Sequence, residues 1–465
     1  MQGFAAIILA AGKGTRMKSC LCKVLHPVAG RPMLSYVIDT VRACDLEKIV
    51  LVVGHQAQDV MNHYTGSGVE FAVQEPQLGT GHAVAAAREQ LRSSSGDILI
   101  LCGDIPLIRP ETLRDFMGFH RHNESALTVM TTNVENPCGY GRILRNEHGH
   151  IVGIAEEKDA TQTQREVHEI NTGIYIAKSD LLFSLLSQIR NDNAQGEYYL
   201  TDIITAAVQQ SVPVHCFVLQ NCLEGLGINT RGELAFASAA IWQKTRMDLM
   251  ESGVTLLDPG TVYVDSGVEI GPDSIVHPVV SISGNTTVGR ECIIESGVYI
   301  INSRIGDGVQ ILQGSRLNEA IVEDGTTVGP MAHLRPGTII GKHARVGNFV
   351  EIKKSVVGDG SKASHLTYLG DSTIGKHVNI GCGTITCNYD GVKKHPTVIG
   401  DHCFVGSDVQ FIAPVEVGEG SLIGAGSTIT KDVPPQSLAV SRSRQKVYPL
   451  RKGQGSASPD EDRKS

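Results

Sequence analysis

Residues 276–300 read VHPVVSISGNTTVGRECIIESGVYI, and every sixth residue of this stretch is aliphatic. These positions are Val276, Ile282, Val288, Ile294 and Ile300. The same spacing of apolar residues returns over 328–352 and 399–429, and glycine often follows directly. A six-residue period is typical of a parallel β-helix, in which each unit is one short strand plus a turn. We therefore predict that residues 254–437 form a hexapeptide β-helix with the apolar side chains stacked inside.

The first half of the chain has a different pattern, in which apolar strands alternate with helical segments. Strand patterns lie at 5–9, 49–53, 98–102, 127–132 and 173–177, and helical patterns at 32–43 and 81–91. This alternation predicts a Rossmann-like α/β domain, with a mostly parallel sheet and helices on both faces. Residues 231–251 contain no proline and predict one long helix. We expect an α/β domain over 1–229, a linker helix over 230–252, and a β-helix domain with a C-terminal tail over 253–465.

Two segments interrupt the six-residue period, near 362–371 and between 384 and 396. Excursions from a solenoid usually lie on its binding face, so we expect ligand contacts there. The tail from Leu438 begins polar and basic, and its last stretch, GQGSASPDEDRKS, has the composition of a disordered segment.

Composition excludes several classes of protein. The formal charge of −8 argues against a general nucleic-acid binder. No apolar stretch reaches membrane-spanning length, and the short apolar run at the N-terminus lacks the basic region of a signal peptide. The 11 scattered cysteines are typical of thiols in a reducing compartment, and Cys20 and Cys22 lack the partners of a zinc site. We expect a cytoplasmic protein with neither a membrane nor a nucleic-acid partner.

The first predicted strand leads into the segment LAAGKGTRM, residues 9–17. Glycines directly after a strand let backbone N–H groups approach phosphates, and Lys13, Arg16 and Lys23 could neutralise a polyphosphate. The dinucleotide-binding fingerprint does not fit, because its third glycine position holds Met17. The Walker pattern does not fit either. These residues alone leave a nucleotide site and a simple tight turn as alternatives.

Further motifs downstream, taken together with this segment, match the pattern of a known protein family more specifically than the segment does alone. They are QEPQLGTGHA at 74–83, GDIP at 103–106, GYGR at 139–142, Glu156, EINTG at 169–173 and GIN at 227–229. With the N-terminal segment and the hexapeptide repeats, they resemble one family over nearly the whole chain. It is the bacterial bifunctional N-acetylglucosamine-1-phosphate uridylyltransferase / glucosamine-1-phosphate N-acetyltransferase family. The resemblance implies synthesis of UDP-N-acetylglucosamine, a precursor for peptidoglycan and lipopolysaccharide.

For the N-terminal half the resemblance implies a site for UTP and N-acetylglucosamine 1-phosphate, with Arg16 and Lys23 as catalytic cations. The implied substrate-binding residues are Leu9, Ala10, Gly12, Lys23, Gln74, Gly79, Thr80, Cys102, Asp104, Gly141, Glu156, Asn171 and Asn229. Asp104 and Asn229 are the implied Mg²⁺ ligands. The position of Asp104 supports this role, because it follows a buried strand pattern where α/β sheets bind ligands, and carboxylates bind hard cations.

For the C-terminal half the resemblance implies acetyl transfer from acetyl-CoA to glucosamine 1-phosphate. Both interruptions match the family's acetyltransferase motifs, as KASHLTYLGD at 362–371 and GCGTITCNYDG at 381–391. An amine must lose its proton to attack a thioester, and His365 is the candidate base since histidine titrates near neutral pH. The backbone N–H of Ser407 is the implied oxyanion donor. The other implied binding residues are Arg335, Lys353, Tyr368, Asn379, Cys382, Asn388, Tyr389, Lys394, Ala425 and Arg442.

Other interpretations remain at this level. A β-helix can serve only regulation or oligomerisation, as in the ADP-glucose pyrophosphorylase type, or it can be a scaffold for protein partners. His365, Asn388 and Tyr389 argue against both, because a spacer has no use for them. The resemblance also implies a homotrimer with acetyl sites between neighbouring subunits. Cys22, Cys382 and Pro396 depart from the family pattern without removing a catalytic group, so they affect the expected efficiency rather than the identity.

Overall fold

The computed structural model describes residues 3–92 and 96–449. The predicted disordered segment GQGSASPDEDRKS lies outside the described residues. The chain divides into two compact units, one of Met1–Met247 with Val264–Ser266 and one of Asp248–Tyr263 with Gly267–Ser465. Among the described helices, none is both long and apolar enough to cross a membrane.

The first unit is built on a twisted, mostly parallel sheet. In spatial order its strands are Val214–Val218, Leu127–Asn133, Glu169–Lys178, Asp97–Cys102, Phe4–Ala10, Lys48–Val53 and Glu70–Val73. Glu169–Lys178 is antiparallel to both of its neighbours, and it also pairs with the hairpin Arg142–Arg145/Ile151–Ala155. A smaller ribbon joins Pro27–Val28 to Arg31–Pro32.

Helices cover both faces of this sheet, as the alternating pattern predicts. The α-helices are Met33–Arg42, Ala57–Tyr64, Thr80–Ala86, Pro110–His122, Gln162–Arg165, Ser179–Leu186, Asp202–Gln209 and Arg231–Glu251. Short 3₁₀ turns occupy Thr15–Met17, Lys23–Leu25 and Cys222–Gly225, and a fourth, Pro259–Thr261, belongs to the second unit. In the Phe4–Ala10 strand, Phe4, Ala6 and Ile8 are buried on one face and Ala5 and Ile7 on the other. Burial on both faces explains why these strands are continuous apolar runs.

The helix predicted over 81–91 is shorter than its pattern indicates. It runs over Thr80–Ala86, and the chain then continues in tight turns. The N–H groups of Ala87, Arg88 and Leu91 each donate to a carbonyl three residues back, so the ladder of the α-helix does not continue. The linker helix, in contrast, spans Arg231–Glu251, as predicted.

The second unit is the predicted β-helix, with three parallel sheets formed by successive coils. The first sheet contains Thr255–Leu256, Ile275–Val276, Ile293–Ile294, Gln310–Ile311, Thr327–Val328, Arg345–Asn348, Lys362–His365, Asn379–Ile380, Phe404–Val405, Leu422–Ile423 and Leu438–Ala439. The second contains Tyr263–Val264, Ser281–Ser283, Tyr299–Ile301, Arg316–Asn318, His333–Leu334, Glu351–Lys353, Tyr368–Gly370, Ile385–Cys387, Gln410–Ile412 and Thr428–Ile429. The third contains Glu269–Ile270, Thr287–Val288, Arg304–Ile305, Ala320–Val322, Thr338–Ile340, Val356–Val357, Ser372–Ile374, Thr397–Ile399 and Val415–Val417.

The inward side chains stack on their equivalents one coil away. Ile282 pairs with Ile300, Ile300 with Leu317, and Leu317 with Leu334, and all are fully buried. This stacking turns the six-residue period of the sequence into a continuous core, in which each coil buries the apolar edge of the next. The predicted left-handed parallel β-helix is therefore the fold of this half.

The predicted interruption near 362–371 is wrong, because this segment stays within the coils. Ala363 pairs with Val346, and Leu369 pairs with Ile352 on the adjacent coil. The period is hard to see in the sequence because one unit is shortened and the small Ala363 takes an inward position. The predicted interruption at 384–396 is correct in its second part, where a loop between Ile385–Cys387 and Thr397–Ile399 is closed by a bridge between Tyr389 and Lys394.

Candidate active sites

A cavity of about 450 Å³ opens at the carboxyl ends of the central strands in the first unit. It brings together many of the residues that the sequence singled out: Leu9, Ala10, Gly12, Lys13, Gly14, Arg16, Lys23, Gln74, Gly79, Thr80, Cys102, Asp104 and Asn229. This is the edge at which open α/β sheets bind ligands. Burial raises the pKa of the Cys102 thiol at its floor to about 12, so this thiol stays protonated at neutral pH.

The glycine-rich segment forms a tight turn between the Phe4–Ala10 strand and the Thr15–Met17 turn. Gly14 has φ 60°, and a Cβ atom built on it would lie 2.5 Å from Lys23 Cβ. Glycine is therefore required here so that Lys23 can pack against the turn. The arrangement puts Lys13, Arg16 and Lys23 around one cavity, where they can neutralise phosphate groups.

Lys23 reaches across this cavity to two oxygen atoms from distant parts of the chain. Its ammonium is bonded to Asp104 Oδ2 and lies 2.6 Å from Asn229 Oδ1. The Ile228 N–H donates to the Asp104 carbonyl oxygen at 2.8 Å, which ties the two segments together. A carboxylate oxygen and an amide oxygen thus converge on one point occupied by a positive charge.

This pair of oxygens suits a magnesium ion. Within residues 3–92 and 96–449, no group of three His, Cys, Asp or Glu side chains could hold a metal. Magnesium, however, usually keeps several water ligands and takes only one or two protein oxygens together with substrate phosphates. The Asp104 and Asn229 oxygens fit that requirement, and the Lys23 ammonium stands where a cation would be held.

Gln74, Gly79 and Thr80 form another part of the cavity lining. The buried Gln74 amide donates to the Gly79 carbonyl at 2.8 Å, and the Thr80 hydroxyl accepts from the Leu200 N–H at 2.9 Å. Gly79 has φ 111°, and a Cβ atom there would lie 2.6 Å from the Tyr198 carbonyl oxygen. These contacts hold the LGTG segment rigidly against 198–200, so its polar groups are preorganised for a ligand.

Three of the predicted residues form a neighbouring group rather than lining this cavity. The Asn171 N–H donates to the Gly141 carbonyl at 2.9 Å, and Glu156 Oε1 accepts from the Thr201 hydroxyl at 3.0 Å. A Cβ atom on Gly141 would lie 3.6 Å from the Glu156 carboxylate. Burial raises the pKa of Glu156.

Several cavity residues carried no predicted role: Ala11, Thr15, Val24, Gln77, Ala83 and Glu197. Gln77 lies inside the QEPQLGTGHA motif, so the motif itself was a signal for it. Glu197 comes from a segment more than a hundred residues further along, and no local pattern marks it.

In the second unit, four predicted residues form a row along one corner of the β-helix. Ala363, Ile380, Val405 and Ile423 are paired on successive coils. Two residues further along each coil stand His365, Cys382, Ser407 and Ala425. The row is closed by Arg442, whose Nη1 donates to the Ala425 carbonyl at 2.6 Å. Consecutive coils therefore place an imidazole, a thiol and a series of backbone groups along one edge.

Two members of this row, His365 and Ser407, have complementary chemistry. His365 is exposed, so its imidazole can accept a proton from a bound molecule. The Ser407 N–H donates to no acceptor among the described residues, while the Ser407 carbonyl accepts from Gly426 at 2.8 Å. A base and a free backbone donor are what attack on an acyl carbonyl requires.

The adjoining face carries Arg335, Lys353 and Lys394, and Arg335 is paired there with Glu351 at 2.7 Å. Arg335 follows Leu334 and Lys353 follows Ile352, and these two apolar residues pair on adjacent coils. Contact with the Lys394 amine lowers the pKa of Lys353, because two ammonium groups have only donors and repel each other, so the pair favours one neutral amine. This arrangement favours a multivalent anion, which would relieve the repulsion.

The remaining predicted residues surround this face. Asn379 pairs with Lys362 and Phe404 on the coils beside it, and Tyr389 is exposed with its hydroxyl bonded to the Gly391 carbonyl at 2.6 Å. A Cβ atom on Gly370 would meet the Tyr368 hydroxyl and would lie 2.8 Å from Asn388 Nδ2. Glycine at this position lets both side chains lie close to the coil.

The three departures from the family pattern lie in different environments. Cys22 is buried, and burial raises its pKa. Cys382 is half-buried in the corner row, and Pro396 is exposed at the end of the loop. None of them displaces a residue of either site.

Comparisons with known proteins agree with this division. A MobA-like NTP transferase domain matches residues 6–169, and a model of six bacterial transferase hexapeptide repeats matches 319–354 and 396–431. The "Bifunctional protein GlmU" of Pelobacter propionicus is 54% identical over 446 residues, which cover 96% of this chain and 97% of that protein. The GlmU of Geotalea uraniireducens is 54% identical and that of Shouchella clausii 45% identical, each over 96% of this chain and 98% of the relative.

Sequence identity of 45–54% over 96% of the chain covers both units and the residues of both sites. The chain therefore belongs to the bifunctional GlmU family, and it is an N-acetylglucosamine-1-phosphate uridylyltransferase and glucosamine-1-phosphate N-acetyltransferase.

Proposed function

We propose that the corner row and the cationic face of the β-helix acetylate glucosamine 1-phosphate, and that the cavity of the α/β unit then transfers UMP to the product. In this proposal residues 1–229 carry uridylyl transfer, 230–252 are the linker, and 253–465 carry acetyl transfer. The observation that carries it is the row His365, Cys382, Ser407 and Ala425 beside Lys353 and Lys394. A β-helix that only regulates would not need such a row.

For uridylyl transfer, the backbone N–H groups of the glycine-rich turn and the Arg16 guanidinium hold the UTP phosphates. Asp104 and Asn229 would hold Mg²⁺, which when bound supplies charge neutralisation at the phosphates. A phosphate oxygen of N-acetylglucosamine 1-phosphate attacks the α-phosphorus of UTP, the bond to the β-phosphate oxygen breaks, and pyrophosphate leaves. When UTP binds, Lys23 would exchange its bond to Asp104 for contact with phosphate oxygens, so that its charge is in place during the transfer.

On the sugar side, Gly141, Glu156 and Asn171 would bind the N-acetylglucosamine moiety beside the nucleotide. Gln74, Gly79 and Thr80 would contact the base, and Leu9, Ala10 and Gly12 the base and ribose. Holding both substrates in line converts the reaction into an effectively unimolecular step, which is how positioning accelerates it.

For acetyl transfer, Arg335, Lys353 and Lys394 bind the phosphate of glucosamine 1-phosphate, and Tyr368 and Asn379 hold the sugar. The amine attacks the thioester carbonyl of acetyl-CoA, and the Ser407 N–H stabilises the oxyanion. As the C–N bond forms, His365 takes a proton from the nitrogen, and the C–S bond then breaks with return of a proton to the CoA sulfur. Cys382, Ala425 and Arg442 would line the path of acetyl-CoA, and Asn388 and Tyr389 would lie close to both substrates.

A homotrimer is part of this proposal, and a row of exposed apolar side chains supports it. Met331, Phe349 and Leu366 lie on successive coils beside the His365 row and are 48%, 58% and 61% exposed. Each has a left-handed backbone, with φ of 53°, 55° and 41°, a conformation that costs a residue with a Cβ roughly 1–2 kcal/mol. Burial against further copies around a threefold axis would offset this cost and bring a neighbour to the acetyl site.

We also propose a cytoplasmic location, because UTP and acetyl-CoA are intracellular metabolites. The proposal needs no membrane and no nucleic-acid partner.

The two activities are tested together in one coupled assay. With glucosamine 1-phosphate, acetyl-CoA, UTP and Mg²⁺, we expect the purified protein to release free CoA thiol and pyrophosphate in equal amounts, each measured separately. With N-acetylglucosamine 1-phosphate in place of the amine, we expect pyrophosphate without CoA. Failure to release CoA from the amine would mean that the β-helix is not the acetyl-transfer site.

The trimer is tested by placing a charge on the apolar row. Phe349→Glu keeps the backbone cost unchanged but puts a carboxylate into the proposed interface, so we expect the molar mass measured by sedimentation to fall from trimer toward monomer. Acetyl transfer should fall with it, while uridylyl transfer should persist. Met247→Glu, at a similarly exposed apolar residue of the linker helix, is the matched control. A variant that keeps the parent mass would contradict this interface.

A further inference from the structure

Asp371 is an acidic residue on the cationic face of the β-helix, the face that carries Arg335, Lys353 and Lys394. It belongs to the KASHLTYLGD motif, yet the proposed mechanism gives it no role. Its carboxylate oxygen Oδ2 accepts a hydrogen bond from Asn388 Nδ2 at 2.5 Å. Its backbone N–H donates to the Lys353 carbonyl at 3.0 Å, which ties it to the coil below. Asp371 therefore joins the coil that carries Lys353 to the start of the loop that carries Asn388, Tyr389 and Lys394.

This bond determines which way the Asn388 amide points. An ionised carboxylate only accepts hydrogen bonds, so the amide must turn its NH₂ group toward Asp371 and its carbonyl oxygen away. Asn388 is only 7% exposed, and its backbone is held by the Thr386 carbonyl and the His395 N–H. The side chain consequently has one favoured orientation rather than two.

The Asn388 carbonyl oxygen, Oδ1, faces away from Asp371 and accepts no hydrogen bond within residues 3–92 and 96–449. This oxygen is also not among the fully buried polar atoms that lack a hydrogen-bond partner, so part of its surface is open. It is an acceptor that solvent or a bound molecule can reach. The same side chain borders Gly370 and the Tyr368 hydroxyl through its Nδ2 atom, since a Cβ atom built on Gly370 would lie 2.8 Å from Nδ2 and would meet that hydroxyl.

We propose that Asp371 is a positioning residue for acetyl transfer, which holds Asn388 with its Oδ1 directed at the amine of glucosamine 1-phosphate. This inference rests on the proposed acetyl site. In this position Oδ1 accepts one N–H of the amine and so turns the nitrogen lone pair toward the thioester carbonyl. A flipped amide would instead present its NH₂ group to the amine and would repel its hydrogens. Asp371 touches no substrate and acts through Asn388.

The test exchanges the carboxylate of Asp371 and the amide of Asn388 between the two positions. Asn388→Asp alone places two carboxylates 2.5 Å apart in the geometry of the parent. We expect it to lower the kcat of acetyl transfer roughly 10- to 100-fold, the scale of a misplaced catalytic contact. Asp371→Ala should do the same, since it frees the amide to rotate. The double variant Asp371→Asn/Asn388→Asp restores an amide donor facing a carboxylate and leaves a carboxylate oxygen toward the amine, so it should recover most of the lost rate.

Two readouts separate positioning from a general structural effect. Uridylyl transfer by the same protein should stay at the parent rate in every variant, and the KM for acetyl-CoA should change less than kcat. Asp324→Ala is the matched control, because the Asp324 carboxylate likewise accepts hydrogen bonds on the β-helix, from the Asp307 N–H and from Lys342 at 2.9 Å, yet belongs to neither site.

The variant Asn388→Ala distinguishes a wrong role for Asp371 from a wrong position of the acetyl site. If Asn388→Ala transferred acetyl groups at the parent rate, the proposed position of the acetyl site would be wrong. If Asn388→Ala were slow while Asp371→Ala kept the parent rate, or if the exchange restored nothing, the site would stand and the role of Asp371 would be overturned.

Discussion

Replacing His365 by alanine should lower the kcat of acetyl transfer about 10²- to 10⁴-fold, the range that general base catalysis contributes. The amine of glucosamine 1-phosphate must lose a proton as it attacks, and His365 is the exposed imidazole of the corner row. The measurement is release of free CoA thiol from acetyl-CoA across pH 5.5–8.5. The variant should be slower than the parent at every pH in this range.

The same protein contains its own control, since pyrophosphate release from UTP and N-acetylglucosamine 1-phosphate should be unchanged. His343→Ala removes another exposed histidine of the β-helix, outside the corner row, and should leave both activities at the parent level. Acetyl transfer by His365→Ala within a few-fold of the parent would refute the assignment of the base.

Replacing Asp104 by alanine should remove nearly all uridylyl transfer, with a loss of at least about 10²- to 10³-fold. The substitution takes away one of the two oxygens that converge on the Lys23 ammonium. It leaves Asn229 as the single protein ligand for the metal and frees Lys23 from its ion pair. Acetyl transfer should continue, because Asp104 belongs to the α/β unit alone.

Metal binding gives an independent measurement of the same site. Mn²⁺ in place of Mg²⁺, titrated with UTP and followed by electron paramagnetic resonance, should bind the parent and bind Asp104→Ala much more weakly. Asp115→Ala, at an exposed carboxylate on the Pro110–His122 helix, should behave as the parent. Pyrophosphate release by Asp104→Ala that still depends on Mg²⁺ with the parent affinity would place the metal elsewhere.

The sequence predicted the architecture of the β-helix because its inner positions repeat locally. Each coil buries an apolar side chain at the same step, so a periodic pattern of residues such as Ile282 and Ile300 is enough to define three faces. Where one unit is shortened and a small Ala363 faces inward, the pattern fades although the coil continues. The sequence also did not indicate that the Thr80–Ala86 helix ends early, because the three-residue turns that follow it space their apolar residues much as a helix does.

The candidate sites were only partly readable from the sequence. Motifs marked Lys23, Asp104 and Asn229 separately, but their convergence joins side chains as far as 206 positions apart. Likewise, His365, Cys382 and Ser407 share no regular spacing because the loop between Cys387 and Thr397 intervenes. Their alignment follows from strand register.

What the sequence alone determined, then, is what depends on local order: the repeat, the alternating α/β pattern, the long linker helix and the glycine-rich turn. Only the tertiary structure decided which side chains meet. It pairs Asp371 with Asn388 and separates Gly141, Glu156 and Asn171 from the residues lining the nucleotide cavity. The physical reason is that hydrogen bonds and ion pairs act over a few ångströms in space, whereas a sequence pattern records only distance along the chain.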